Sequence, residues 1–246
     1  MQEEKKQLEI LLMDYFRSCY PEFPTGSAVP SESPDFIVKM KNKHLLGIEL
    51  TRLNPASATI PDEEQREEIG FRNGLILAAK ELFEHHSKVK LFVKFMFSEH
   101  KKISPEREIA VIAQVSALMR NKLTGKKENS FYKIVIPKNE LPDGLNGILM
   151  VHHPKLETAI WERANNLGIS NDVVDDIRQS IYKKDEKLSL YQKQHLNYYW
   201  LLITTDRLRG VKRFNLSNKI LHENFQSRFQ HVFLLDLMKS KVLQLV

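Results

Sequence analysis

Residues 32–52 read ESPDFIVKMKNKHLLGIELTR. Two runs rich in Ile, Val, Leu and Phe, 35–40 and 44–51, flank the polar residues Lys41, Asn42 and Lys43, which predicts two strands joined by a tight turn. Turn length sets the register, and a slip of one residue moves every side chain to the other face. A two-residue turn at Asn42–Lys43 pairs Lys41 with His44 and puts Asp35 and Glu49 on opposite faces. A three-residue turn pairs Met40 with His44 and sets Asp35 directly across from Glu49.

Hydrophobic patterning selects the second register. One face then collects Phe36, Val38, Met40, Leu46, Ile48 and Leu50, with His44 at its turn end. The other collects Asp35, Ile37, Lys39, Leu45, Gly47, Glu49 and Thr51. A sheet packed on a helix needs such an apolar face. Directly opposed residues have Cβ atoms about 4.5–5.5 Å apart. Two carboxylates at that range repel unless a proton or cation intervenes. Mg²⁺ suits such a pair, since it takes oxygen ligands, often only one or two of them carboxylates. Gly47 is expected to keep that face open for a ligand. The plain alternative is a pair of strand-end carboxylates that face water or bind nearby lysines.

Pro34–Asp35, a strand and turn, and then Glu49–Leu50–Thr51 within a hydrophobic strand resemble the PD-(D/E)XK nuclease superfamily. The tight match covers about twenty residues. A helix before it and one after the second strand fit that family's order over residues 4–97. The resemblance implies an α/β chain with a restriction-endonuclease-like three-layer core, a central mixed sheet flanked by helices. It implies Mg²⁺ or Mn²⁺ held by Asp35, Glu49 and the main-chain carbonyl of Leu50, and phosphodiester hydrolysis in nucleic acid, DNA ahead of RNA. Nuclease relatives of this fold often form homodimers. The family places a lysine two residues after the second acid, where this chain has Thr51. Either another lysine replaces it, or the chain is a non-catalytic relative that binds nucleic acid or a protein.

Periodicity nominates the replacement. In the helix expected over 172–193, Ile177, Ile181, Leu188 and Tyr191 form one stripe, and Lys184 falls within it. A lysine on an inward stripe needs an anion partner or a route to water. The stretch IYKKDEKLSLY followed by NYYWLLI also resembles uncharacterised nuclease-like families, with Lys184 and Lys187 as the matching residues. Lys184 is thus expected as the migrated catalytic lysine and Lys187 as a second phosphate contact. The alternative is a lysine snorkelling at the rim of the core. Lys39 is a further nucleic-acid-binding candidate, but it lies four residues from Asp35, roughly 13 Å along a strand. Glu64 and Gln65 are expected within reach of the metal if their helix starts over the sheet. Glu9 and Glu32 are expected as outer ligands or solvated acids.

Elsewhere strands and helices alternate: helix 4–19, helix 62–86, strand 89–97, a helix from Ser104–Pro105–Glu106 to about 122, strands 131–136 and 147–152, strand 198–204, and two strands in 231–246. A loop is expected from Asn54 to Pro61. With no convincing linker, this order predicts a single domain over residues 1–246, one central sheet with a C-terminal elaboration.

Composition sets the outer limits. The 246 residues carry a formal charge of +6, split into −3 over residues 1–100 and +9 over 101–246. A basic half can attract a polyanion, although on composition alone a solvated basic surface is the favoured reading. No apolar run is long enough for a membrane-spanning helix, and the start MQEEKKQLEILLMDYF reads as an amphipathic helix rather than a signal segment. A single cysteine, Cys19, excludes an intrachain disulfide and a cysteine-rich zinc site. The expectation is a soluble cytoplasmic protein without a membrane partner. No P-loop, Gly-x-Ser-x-Gly or dinucleotide motif is present. His85–His86 and His152–His153 lack metal-ligand spacing and are expected as surface or helix-end residues. Phe214, Phe225 and Phe229 among Lys212, Arg213 and Arg228 suit base stacking or a small C-terminal core.

Overall fold

The computed structural model describes residues 2–53, 62–98, 100–164, 172–191, 195–206 and 216–246. It divides into two compact units, residues 1–59 with 168–246, and residues 60–167. The second unit is thus inserted in sequence into the first.

The first unit holds helix α1 (Gln2–Cys19) and strands β1 (Gly26–Pro30), β2 (Phe36–Met40) and β3 (Leu45–Arg52) before the insert. The insert carries α2 (Glu63–His86), β4 (Phe92–Phe97), α3 (Glu108–Leu123), β5 (Tyr132–Pro137), β6 (Leu145–His152) and β7 (Ile160–Arg163). The first unit then resumes with α4 (Val173–Asp185), α5 (Leu188–Tyr191), β8 (Tyr198–Thr205), α6 (Leu216–His222), β9 (His231–Asp236) and β10 (Lys241–Gln244).

One mixed six-stranded sheet runs β1-β2-β3-β8-β9-β10. Strands β1, β2 and β3 are antiparallel, β3, β8 and β9 are parallel, and β10 returns antiparallel. Phe36, Val38, Leu46 and Ile48 are buried on one face. In register with Ile48 lies Trp200, and Leu202 pairs with Phe233. Helix α1 covers this face: the Phe16 and Phe233 rings lie 5.2 Å apart, and the Tyr15 hydroxyl donates to the Leu237 carbonyl at 2.6 Å. The opposite face presents Tyr199, Leu201, Ile203, Val232 and Leu234 to Val174, Ile177, Ile181, Leu188 and Tyr191 of α4 and α5. Each large apolar side chain so buried stabilises the fold by about 1.5–3 kcal/mol.

The expectation of one central sheet is corrected. The second unit builds its own four-stranded sheet, β5-β6-β4-β7, packed on α2 and α3 through Phe83, Phe95, Val115 and Ile148. Alternation of strands and helices marks the elements but leaves open which strands share a sheet. The helix expected to follow the hairpin in the fold, α2, belongs to this second unit. Its start carries a reciprocal capping box between Asp62 and Gln65, and Glu64 pairs with Lys102. The charge division also dissolves. Residues 1–59 with 168–246 carry 20 Lys+Arg against 16 Asp+Glu, net +4, so no acidic half opposes a basic one.

Two further expectations change. A single 3-10 turn, Pro105–Arg107, precedes α3, and Ser104 makes no side-chain cap to its backbone. His152, at the end of the inner strand β6, and His153 just beyond it are both buried. The Tyr132 ring stacks on His152 at 4.7 Å, and His153 Nδ1 accepts the Lys155 N–H. No helix among the described residues is long and apolar enough to cross a membrane. The loop expected at Asn54–Pro61, and Lys212, Arg213 and Phe214, lie outside the described residues.

Candidate functional site

The β2–β3 hairpin adopts the three-residue turn. Phe36 pairs with Ile48, Val38 with Leu46 and Lys39 with Leu45, and the Met40 N–H donates to the His44 carbonyl at 3.0 Å. Lys43 closes the turn in the left-handed region, at φ 67°. Asn42 supports it by accepting the His44 N–H on Oδ1 at 3.1 Å. Continued by one residue, this register sets Asp35 opposite Glu49, on the face that α4 and α5 cover.

Glu49 is 6% exposed. The Lys184 ammonium lies 2.6 Å from its Oε1 and 3.4 Å from the Leu50 carbonyl oxygen. The stripe expected around Lys184 is real: Ile177, Ile181, Leu188 and Tyr191 are all buried. The phenol of Tyr191 has its pKa raised, by burial first and then by the nearby Glu49 carboxylate. Asp35 Oδ2 accepts the Leu50 N–H at 2.7 Å. Both acids therefore address the same segment of β3.

The Asp35 carboxyl is pushed up to about 6. Burial is the largest cause, followed by repulsion from Glu49, with Glu9 adding to it; the Leu50 N–H and Lys184 act the other way. Glu9 projects from α1, forms an ion pair with Lys5 at 3.2 Å, and belongs to the electrostatic surroundings of Asp35. Glu32 instead pairs with Lys6 in an exposed position.

These donors suit a hard divalent cation. Asp35, Glu49 and the Leu50 carbonyl are all oxygen ligands, the set Mg²⁺ takes. A positive charge beside Asp35 would offset the burial and the Glu49 repulsion that raise its pKa. Among the described residues no group of three His, Cys, Asp or Glu side chains gathers to hold a metal ion. Asp35, Glu49 and the Leu50 carbonyl are the groups that could hold a cation, and in this structure the Lys184 ammonium lies against two of them.

Other expected residues fall elsewhere. Lys39 is exposed, opposite Leu45. Lys187 is exposed in the turn between α4 and α5. Thr51 occupies the expected lysine position and lines, with Arg52, Ser180, Lys183 and Lys184, a cavity of about 310 Å³. Phe225 and Phe229 are buried with β8 and β9 and are not available as base-stacking platforms.

The role expected of Gly47 is corrected. Gly47 is buried, and a Cβ on it would stand 2.7 Å from both Pro34 Cγ and Leu196 Cδ1. It admits those side chains rather than a ligand. The sequence reading missed Tyr191 as a partner of Glu49, although its stripe position beside Lys184 carries that signal. It also missed Arg52, whose guanidinium donates to the buried Asp206 at 2.8 Å.

The chain matches no protein-family model, no curated protein and no solved structure at a significant level.

Proposed function

We propose that this chain is a metal-dependent phosphodiesterase acting on nucleic acid, of the PD-(D/E)XK kind. The observation that carries the reading is the convergence of Asp35, Glu49 and Lys184 at one point of β3. The order of the first unit, helix, hairpin, helix and a strand parallel to β3, supports it.

Asp35, Glu49 and the Leu50 carbonyl would hold Mg²⁺ or Mn²⁺. When bound, the ion supplies a water of lowered pKa and positive charge at the phosphoryl oxygens. Tyr191 lies in the electrostatic surroundings of Glu49 and would help position it. Lys184 would replace the lysine that Thr51 displaces: its ammonium balances Glu49 and would hold a phosphate oxygen. Lys187 supplies a further phosphate contact. DNA is the favoured substrate.

A second reading keeps the fold and the binding without the chemistry. Thr51 and the close Lys184–Glu49 ion pair favour it, since that pair already satisfies one carboxylate. A cleavage assay with Mg²⁺ or Mn²⁺ separates the two. Activity lost in Asp35→Ala, Glu49→Ala and Lys184→Ala supports the phosphodiesterase. Nucleic-acid binding with no cleavage in any metal supports the second reading, and equal cleavage by wild type and all three variants removes the site.

A further inference from the structure

The cavity beside the carboxylate pair remains unexplained by two acids and one lysine. Its volume, about 310 Å³, falls in the range of small-ligand sites. Arg52 at the end of β3, and Lys183, Lys184 and Lys187 around the end of α4, give its wall four cationic side chains. One acid opposes them, Glu186, and the Tyr182 hydroxyl engages it. Arg52 is anchored by Asp206, so its guanidinium is held on the wall rather than drifting in solvent. Lys184 lines this wall and also pairs with Glu49, so the cavity lies beside the proposed metal site. Thr51, the departure from the nuclease pattern, lines the same wall with a shorter side chain than lysine.

An internal phosphodiester carries one negative charge, whereas a terminal phosphate monoester carries about −1.5 to −2 at neutral pH and three acceptor oxygens. An extended strand also tracks along an open groove. Arg52 is paired with Asp206 and Lys184 with Glu49, so Lys183 and Lys187 supply the remaining positive charge; a concave wall fits a strand end, a single group that enters it, better than a linkage that continues on both sides. We infer that the cavity receives the terminal phosphate of a nucleic-acid strand and places the adjacent linkage at Asp35 and Glu49. This rests on the phosphodiesterase reading for its second half only; end recognition itself does not require cleavage.

Fluorescence anisotropy without metal, in chelator, tests it with three short single-stranded DNA oligonucleotides: one with a 5′-phosphate, one with a 3′-phosphate and one with hydroxyls at both ends. One phosphorylated form should bind at least about tenfold more tightly than the hydroxyl form, since charge-assisted hydrogen bonds are the strong ones. The arm that gains identifies which end enters. Lys183→Ala with Lys187→Ala, both exposed positions, should erase the preference, and Lys187→Arg should keep it. Mn²⁺ calorimetry on Lys183→Ala alone should be unchanged. Equal binding of all three oligonucleotides, binding of none, or a preference that survives the double variant overturns the inference. End preference without Mn²⁺ binding or cleavage would leave the cavity standing and remove the phosphodiesterase reading alone.

Discussion

The Lys184 ammonium stands 2.6 Å from Glu49 Oε1, although 135 positions separate the two residues in the chain. Both side chains are largely withdrawn from water, at 19% and 8% exposure. Truncating one member of such a pair leaves the other charge under-compensated, which costs more than the pair itself contributes. Lys184→Met should therefore destabilise the protein by about 1–3 kcal/mol. Glu49→Gln added to it should recover part of the loss. Urea titrations of the two variants measure this, and equal midpoints for wild type and Lys184→Met would show that the pair holds nothing in place.

Asp35 gives the protein a pH signature. Its folded-state pKa of about 6 lies above the ordinary 3.8, so the folded chain holds this proton more tightly than the unfolded chain. The associated stability is fully present below about pH 3.8 and is lost as pH rises through about 6. Asp35→Asn can still accept the Leu50 N–H and never ionises. Between pH 4 and 6.5 wild type should lose stability relative to this variant, and parallel curves would contradict the assignment.

The same proton should compete with metal. Mn²⁺ binding followed by calorimetry should weaken as pH falls through about 6, approaching tenfold per unit, because one proton must leave Asp35 before the ion binds. Asp35→Asn should bind far more weakly and without this slope. A flat profile in wild type would exclude Asp35 as a ligand.

Gly47 lies under the hairpin's acidic face. In Gly47→Ala the new methyl meets Pro34 and Leu196 at 2.7 Å. Leu196 can change rotamer, but the Pro34 ring can retreat only with its backbone, and Asp35 follows it directly in sequence. Overpacking of this kind typically costs about 1–3 kcal/mol. The variant should be less stable and should also bind Mn²⁺ more weakly than wild type. Unchanged binding in a destabilised variant would uncouple Pro34 from the site.

Lys43 offers a gain. At φ 67° a non-glycine residue pays a steric cost that glycine escapes. Lys43→Gly should stabilise the hairpin by up to about 1 kcal/mol, and Lys43→Val should destabilise it by about 1–2 kcal/mol. Thermal unfolding of both variants reads the sign. A stabilised valine variant would argue against this turn geometry.

Local patterns were legible wherever a short period carried them. Alternation over 35–51 fixed which hairpin register buries Phe36, Val38, Leu46 and Ile48, and that choice alone put Asp35 across from Glu49. The 3.6-residue stripe of Ile177, Ile181 and Leu188 likewise marked Lys184 as inward-facing. Burial explains both, since one face of each element must leave water and the period decides which side chains go with it. The same reasoning failed for Gly47 and His152, because exposure on the second face depends on what another element lays over it.

Pairing across the chain was decided by tertiary structure alone. That β3 runs parallel to β8, that residues 60–167 fold on a sheet of their own, and that Lys184 rather than a lysine of β2 meets Glu49 all depend on contacts between distant segments. A strand's pattern records how much of it is buried but not by which partner. The sequence by itself determined a hairpin with two opposed acids and an amphipathic helix with one inward lysine. Only the packing of α4 on β3 and β8 brought them to one place, because closing that distance repays its loop entropy through burial of the shared core.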